Sequence, residues 1–326
     1  KTFSEKMALI AAVLLAVSPW HLQFSRIAFE ANLGLFWFVI GMWSFLKSTR
    51  IKEGWFLVLS ALFWGLGMMS YHSNRVVTPV MILVLAILFR RGLANIWEKN
   101  KLSIGISAMI MAGVLLLVGY TLFYQKVGQA RFVETSFIST GENNGILEYG
   151  RKFLAGYLNH YDLKFWFLNG DGIGRHQAPN FGLLYCWELP FLMMGLVNAL
   201  RWNVQSKNTT LVLYFWFLLA PVAAALVKGT PSAVRSLLFL PTFQIFEAMG
   251  IVLLMERIKN GFVRNAARGV VMMAIILNFI GYLHQYYKHM PLEFSKAWMY
   301  GRKEAVQTTE QIKDQYERVI VSTKLE

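Results

Sequence analysis

The chain has 326 residues, of which 56% are hydrophobic and only 15% are charged, and its mean hydropathy is +0.44. Soluble domains carry about 25% charged residues, so this composition excludes a soluble globular enzyme as well as a disordered chain and indicates an integral membrane protein. The net charge of +14 is spread over short loops between apolar runs, which is typical of membrane topology and not of a nucleic-acid-binding face.

Nine apolar runs predict an all-α multi-pass membrane protein of about nine transmembrane helices. In chain order they are 7–20, 29–46, 55–70, 76–89, 103–124, 183–200, 210–227, 236–254 and 270–287. The shorter runs fall below the ~20 residues that an upright helix needs to cross a bilayer. The predicted regions are helices one to five at 1–124, a long connection at 125–182, helices six to nine at 183–290 and a tail at 291–326.

The distribution of Lys and Arg predicts the orientation, because cytoplasmic loops carry an excess of these residues. If the first residues are cytoplasmic, the inner segments hold fifteen Lys and Arg, whereas the short outer loops hold four. We therefore expect the beginning of the chain in the cytoplasm. The connection 125–182 and the tail 291–326 are then expected on the outer, periplasmic or extracellular side.

The outer connection and the tail are expected to carry structure of their own. Four aromatic residues recur every four positions within 153–168: Phe153, Tyr157, Tyr161 and Phe165. This spacing predicts an amphipathic helix that lies flat in the headgroup region. The tail GRKEAVQTTEQIKDQYERVIVSTKLE, at 301–326, predicts a polar helix followed by a short strand, which is the start of a truncated periplasmic α/β domain.

Cations at the outer ends of apolar helices oppose the charge bias, and placing them there costs insertion energy. They stand in four outer connections, and two histidines accompany them: Arg26, Arg75 with His72, Arg175 with His176, and Lys228 with Arg235. Guanidinium and ammonium groups gathered at one membrane surface are suited to a phosphate or pyrophosphate head group. The alternative is that each cation is only an anchor to lipid phosphates.

Two carboxylates fall inside predicted spans, where an acidic side chain is either functional or an interhelical contact. Glu188 lies ~8 Å inside span six and Glu247 lies ~16 Å inside span eight, at 1.5 Å of rise per residue. We assign Glu188 to the candidate site, since it follows the loop of Arg175 and His176, and we assign Glu247 to packing. The single Cys186 excludes a disulfide framework and a thiolate metal cluster within this chain.

Four segments, taken in order, resemble bacterial membrane glycosyltransferases of the GT-C superfamily, in the branch related to protein O-mannosyltransferases and the lipid A aminoarabinose transferase. The segments are SPWHLQFSR at 18–26, SYHSNRVVTP at 70–79, GRHQAPNFGLLYCWELPFLMMGL at 174–196 and GTPSAVRSLLFLPTFQIFEAMGI at 229–251. The resemblance covers nearly the whole chain. It implies an inverting transfer of a sugar from a polyprenyl-phosphate donor to a lipid, protein or glycan acceptor, at the outer face of the bacterial inner membrane.

In such enzymes the general base is an acidic residue, usually Asp, in the first outer loop. The first outer loop here, 21–28, contains no Asp or Glu, and Glu30 does not fit the motif. The resemblance therefore implies a catalytic Asp upstream of residue 1 and a fragment that is inactive by itself. The charge bias and the buried carboxylate, not the resemblance, select the residues that we assign to the donor phosphate and sugar: Arg26, His72, Arg75, Arg175, His176, Glu188, Lys228 and Arg235.

The expected partners are the polyprenyl-phosphate sugar donor, membrane lipids and an acceptor of unknown identity, with no nucleic acid. No cofactor and no metal-ligating residue are predicted, and a divalent metal requirement is left open. The alternative function is a transporter or flippase of lipid-linked saccharides, which would hold the same head group without catalysis. A structural assembly factor would leave the pattern of outer arginines unexplained.

Overall fold

The computed structural model describes residues 4–126, 136–137, 145–200 and 207–320. Within these ranges the regular structure is helical and contains no β-strand. The α-helices are α1 Glu5–Val17, α2 Pro19–Arg26, α3 Glu30–Ile51, α4 Trp55–Ser70, α5 His72–Leu88, α6 Arg90–Lys99, α7 Lys101–Tyr124, α8 Ile146–Asn159, α9 Leu189–Asn198, α10 Lys207–Leu219, α11 Val222–Ala225, α12 Thr242–Arg257, α13 Gly261–His284, α14 Met290–Glu293 and α15 Arg302–Ile312.

Four helical segments of the described chain are long and apolar enough to cross a membrane. They are Lys101–Tyr124, Lys207–Ala225, Leu237–Arg257 and Gly261–Glu293. The number rises to six if each of two bent pairs is one span: α1 with α2, bent by 58°, and α5 with α6, bent by 83°. This finding supports an all-α membrane protein. It does not establish nine spans, because α4 has only 16 residues and α9 only 10, fewer than the ~20 that an upright crossing needs.

The first half of the bundle is held by close packing of α3 on α4. Trp64 of α4 lies directly on Gly41 of α3, where an added Cβ would be 2.5 Å from the indole Cδ1. The indole Nε1 of Trp64 donates to the carbonyl of Phe38 at 3.2 Å, and Ser60 Oγ donates to the carbonyl of Gly41 at 2.8 Å. The side-chain donors of Ser60 and Trp64 are thus satisfied by backbone carbonyls of α3, as an apolar environment favours.

The second half is organised by the contact of α9 with α12, which meet through two glycines. A Cβ on Gly195 would lie 1.9 Å from the carbonyl oxygen of Phe246, and a Cβ on Gly250 would lie 2.0 Å from that of Phe191. Small residues of this kind allow helix backbones to approach closely inside a membrane.

Helices α7 and α13 lie at the periphery. Only 17% of the most apolar window of Lys101–Tyr124 and 6% of that of Gly261–Glu293 is buried in the protein. Their outward side chains are large and apolar, for example Leu116 at 75% exposure and Phe262 at 83%. An apolar helix that the protein leaves uncovered is typical of a helix that faces lipid.

The single amphipathic helix predicted over 153–168 is wrong, because the helix is interrupted. Helix α8 ends at Asn159, and a π-helical turn follows at Phe165–Asn169. Between them the carboxylate of Asp162 accepts the backbone N–H of Lys164 at 2.8 Å. Aspartate side chains that bond to nearby backbone groups in this way compete with the helix.

The aromatic row of this segment packs on protein. Tyr157 donates to the carbonyl of Leu218 at 2.9 Å and Tyr161 to that of Phe217 at 3.2 Å, and Phe165 is buried. The large apolar side chains of α8 that stay exposed are Ile146, Leu147, Leu154 and Leu158. The interfacial position of this segment remains a prediction, although the aromatic face on which it was based packs on protein.

The tail agrees in part with its prediction. The expected polar helix forms as α15, Arg302–Ile312. Residues 318–320, at the start of the predicted strand, have no regular secondary structure, and 321–326 lie outside the described residues. The strand, and with it a soluble α/β domain, remains a prediction.

Candidate functional site

The connections that carry the predicted cations contact one another at one end of the bundle. Gln23 Nε2 in α2 donates to the carbonyl of Arg175 at 2.7 Å. Ser73 Oγ, in the first turn of α5, donates to the carbonyl of Arg235 at 2.7 Å. Each bond joins segments more than 150 residues apart in the sequence, so the tertiary fold brings these connections together.

A cavity of about 610 Å³ lies among these connections. Its volume falls within the ~300–1,000 Å³ that is typical of ligand sites. Four of the eight predicted residues contribute to its wall: His72, Arg75, His176 and Arg235. Its remaining wall is largely apolar and includes Phe29, Val76, Leu122 and Val227, and one carboxylate, Glu30, also lines it.

The two arginines of the cavity wall are half-buried and are each oriented by a backbone carbonyl. Arg75 Nε donates to the carbonyl of Met68, in the last turn of α4, at 3.0 Å. Arg235 Nη1 donates to the carbonyl of Lys228 at 3.5 Å, across its own turn. A guanidinium fixed in this way at the wall of a partly apolar cavity is suited to bind a phosphate oxygen.

His176 in the cavity wall is supported by the buried carboxylate of Asp171, which is not among the eight predicted site residues. Asp171 Oδ2 accepts His176 Nδ1 at 2.7 Å and the backbone N–H of Ala233 at 2.8 Å. The side chains of Asp171 and His176 are only 1% and 7% exposed. Asp171 thus connects the loop before α9 with the turn that carries Arg235. Its one signal in the sequence is its position five residues before His176, in the run GDGIGRH.

His160 holds the same turn from the other side. Its Nε2 accepts the backbone N–H of Ser232 at 3.1 Å, and its Nδ1 bonds to the carbonyl of Gly156 at 2.7 Å. Since an N–H can only donate, Nε2 must be unprotonated and the ring neutral. Burial lowers the pKa of His160 from 6.5 to about 4, although its bond to Gly156 and the charge of Asp171 act in the opposite direction.

This lowered pKa predicts a loss of stability in acid. Between pH 6.5 and 4 the unfolded chain binds a proton at His160 that the folded chain does not bind, so the free energy of unfolding should fall by about 3 kcal/mol over that range. His160→Gln keeps an acceptor for Ser232 and cannot titrate. Thermal unfolding from pH 7.5 to 4 should therefore show a smaller decrease in melting temperature for the variant, and equal decreases would contradict the assignment.

The other predicted cations do not line the cavity. Arg26 lies over the rings of Tyr286 and Tyr287, with its Cζ 4.9 and 5.2 Å from the ring centroids, and it donates to the Tyr287 hydroxyl. It therefore holds the π-helical turn Gln285–His289, which follows α13, through cation–π contacts. Lys228 is exposed, and Arg175 contributes a carbonyl bond to Gln23 but no part of the cavity wall.

Glu188 also lies apart from the cavity wall. It is fully buried, and its Oε2 accepts the backbone N–H of Tyr185 at 3.0 Å. Its electrostatic neighbour is Glu247, which is equally buried on α12. Glu188 thus belongs to the contact region of α9 and α12, and its role in binding a donor remains a prediction.

In the part of the chain that the structure describes, no three His, Cys, Asp or Glu side chains are grouped as metal ligands. A divalent metal requirement stays a hypothesis. Comparisons of the chain with models of known protein families, with curated proteins and with solved structures find no significant match.

Proposed function

We propose that the cavity binds the phosphate of a polyprenyl-phosphate sugar donor and that the protein transfers the sugar, with inversion, to a lipid, protein or glycan acceptor. The observation that carries this proposal is the convergence of Arg75 and Arg235 on one cavity from separate connections. His72 and His176 supply further nitrogen groups to the same wall. The motif resemblance to GT-C glycosyltransferases supports the same reaction.

The physical demands of this transfer match the wall of the cavity. When the bond from the sugar to the phosphate breaks, negative charge develops on the departing phosphate. Fixed donors stabilise such charge most strongly where water is excluded, because they need no reorganisation and are poorly screened. Arg75 and Arg235 would provide these donors, and the apolar residues Val76 and Leu122 suit the first isoprene units of the donor.

The membrane arrangement forms part of the proposal. We propose nine spans in a bacterial inner membrane, with Lys1 on the cytoplasmic side and the cavity at the outer surface. Support comes from the four to six apolar helices of the described chain and from the bias of Lys and Arg toward the inner loops.

The direct test measures radiolabelled sugar transfer from polyprenyl-phosphate donors in membranes that contain the protein together with the upstream Asp-bearing segment that the resemblance implies, and it measures donor binding to the purified protein. We expect saturable binding of the donor and formation of a labelled acceptor. Binding accompanied by movement of a lipid-linked saccharide across vesicle membranes, without transfer, would establish the transporter alternative. Absence of donor binding would contradict both functions.

A further inference from the structure

We infer that the end of the bundle opposite the cavity binds anionic phospholipids, through helix α6 and the last turns of α3. Helices α3 and α5 begin at the cavity, with Glu30 and His72 in its wall, and both run away from it. The 22 residues of α3 extend over ~33 Å at 1.5 Å of rise per residue, which is enough to cross the ~30 Å hydrocarbon core of a bilayer. The inference concerns a second surface and is independent of the proposed function.

Helix α6 has the orientation of a helix that lies along a membrane surface. It is bent by 83° from α5, so it runs nearly parallel to the surface of a bilayer that α5 crosses. One face of α6 packs on the protein: Ile96 is fully buried and Leu93 contacts the core. A Cβ on Gly92 would lie 3.4 Å from the Cβ of Thr49, in the last turn of α3. The opposite face of α6 is therefore left toward the lipid headgroups.

Exposed cations surround α6 at this end of the bundle. They stand at and after the end of α3, in α6 and at the start of α7: Arg50, Lys52, Arg90, Arg91, Lys99 and Lys101. The segments 47–53 and 90–101 together hold seven Lys and Arg and only two carboxylates, which leaves a net charge of +5. The ion pairs of the described residues include none of these cations. A basic cluster of this size beside membrane helices attracts anionic headgroups.

Two exposed tryptophans indicate the level of the headgroups. The Nζ of Lys47 lies 4.7 Å from the ring centroid of Trp43 in α3, and the Nζ of Lys101 lies 6.0 Å from that of Trp97 in α6. The two tryptophans are 53% and 49% exposed. Tryptophan concentrates at membrane–water interfaces, because its ring is largely apolar while its N–H is polar. The surface thus combines aromatic anchors with cations that can bind a headgroup phosphate.

The charge bias of inner loops does not by itself account for this arrangement. That bias requires only that cations lie in the loops, where they set the orientation of the protein. Arg90 and Arg91 instead occupy the first two positions of α6, where the positive end of the helix dipole disfavours a cation. An anionic phosphate beside them offsets this repulsion and accepts hydrogen bonds from both guanidinium groups. A zwitterionic headgroup carries a cation of its own and offsets the repulsion less.

The test measures saturable binding of radiolabelled phosphatidylglycerol to the purified protein in a non-ionic detergent, with phosphatidylcholine as the competing neutral lipid. We expect phosphatidylglycerol to be preferred and its affinity to fall as the salt concentration rises. The double substitution Arg90→Gln/Arg91→Gln should raise its Kd by about tenfold or more, since the attraction of each cation to anionic headgroups corresponds to about a fivefold change in affinity.

The matched control is Arg302→Gln/Lys303→Gln, which removes two adjacent exposed cations from the first two positions of α15. We expect its Kd for phosphatidylglycerol to stay within about twofold of that of the unmodified protein. Without added lipid, Arg90→Gln/Arg91→Gln should keep its melting temperature, because glutamine favours a helix and removes the unfavourable charge from its positive end. If that variant melts lower, Lys99→Gln/Lys101→Gln takes its place in the same comparison.

Three results would overturn the inference. They are equal affinities for phosphatidylglycerol and phosphatidylcholine, equal losses in the α6 and α15 variants, and unchanged phosphatidylglycerol binding in the folded α6 variant. Each of them leaves donor binding in the cavity unaffected, because that binding is measured separately with the polyprenyl-phosphate donor.

Discussion

Arg235→Ala should lower sugar transfer by about 100-fold or more and should weaken donor binding, while insertion into the membrane is retained. Hydrogen bonds to charged groups contribute ~1.5–3 kcal/mol each, and every 1.4 kcal/mol corresponds to a factor of about ten. A guanidinium that bonds to the phosphate through two N–H groups would therefore account for at least two orders of magnitude. Arg75→Ala should act in the same direction, since Arg75 shares the cavity.

Lys228 offers the matched comparison for Arg235. It lies in the same connection, seven residues earlier, carries the same charge and is exposed outside the cavity wall. We expect Lys228→Ala to change the donor Kd by less than about threefold, measured by donor binding and by initial rates of transfer. Equal losses for the two variants would mean that net charge at this surface matters and that the cavity does not. Arg235→Lys should restore only part of the activity, because an ammonium group lacks the planar pair of donors.

Sequence patterns selected two arginines that the structure places in the wall of one cavity, because the signal that selects each of them is local. Arg75 and Arg235 each stand in a predicted outer loop, where Lys and Arg are depleted, so the sequence alone identifies them whatever residues they contact in the fold. The same rule also selected Arg26, whose actual partners are Tyr286 and Tyr287, 260 or more residues away. Charge bias identifies an unusual cation, but only tertiary contacts separate a cavity residue from an anchor.

Asp171 and His160, which hold the turn of Arg235, could not be selected from the sequence, because their roles depend on contacts between distant positions. The bond from Asp171 to Ala233 joins positions 62 residues apart, and that from His160 to Ser232 joins positions 72 apart. Neither spacing follows a helical or strand period, so no pattern in the sequence could pair them.

The helices themselves were easier to predict. Apolar runs gave the bounds of α4 and α7 to within two residues, because burial in lipid selects whole segments and not single contacts. The prediction of one helix over 153–168 was wrong because the aromatic period continues across the break after Asn159, where Asp162 accepts the N–H of Lys164. The spacing of apolar residues predicts which face of a helix is apolar. It does not predict whether a side chain that bonds to the backbone interrupts the helix.

Gly195→Ala should destabilise the fold strongly, since the position has no room for a methyl group. The added Cβ would lie 1.9 Å from the carbonyl oxygen of Phe246 on α12. The obstacle is backbone, so α9 and α12 would have to separate, and overpacking of this kind costs ~1–3 kcal/mol or more. The gain of about 1 kcal/mol from replacing a helical glycine by alanine is too small to offset this cost.

Gly113→Ala on the peripheral helix α7 supplies the control, because a Cβ there meets no atom within 4 Å. Thermal unfolding of the purified protein should show a marked decrease in melting temperature for Gly195→Ala and no decrease for Gly113→Ala. Gly250→Ala should behave like Gly195→Ala, since its Cβ would lie 2.0 Å from the carbonyl oxygen of Phe191 on the opposite side of the same contact. Unchanged melting temperatures for both would mean that α9 and α12 are farther apart than described. Glu188 and Glu247 would then not be enclosed between these helices. The predicted role of Glu188 in binding the donor would then explain its position better than packing between α9 and α12.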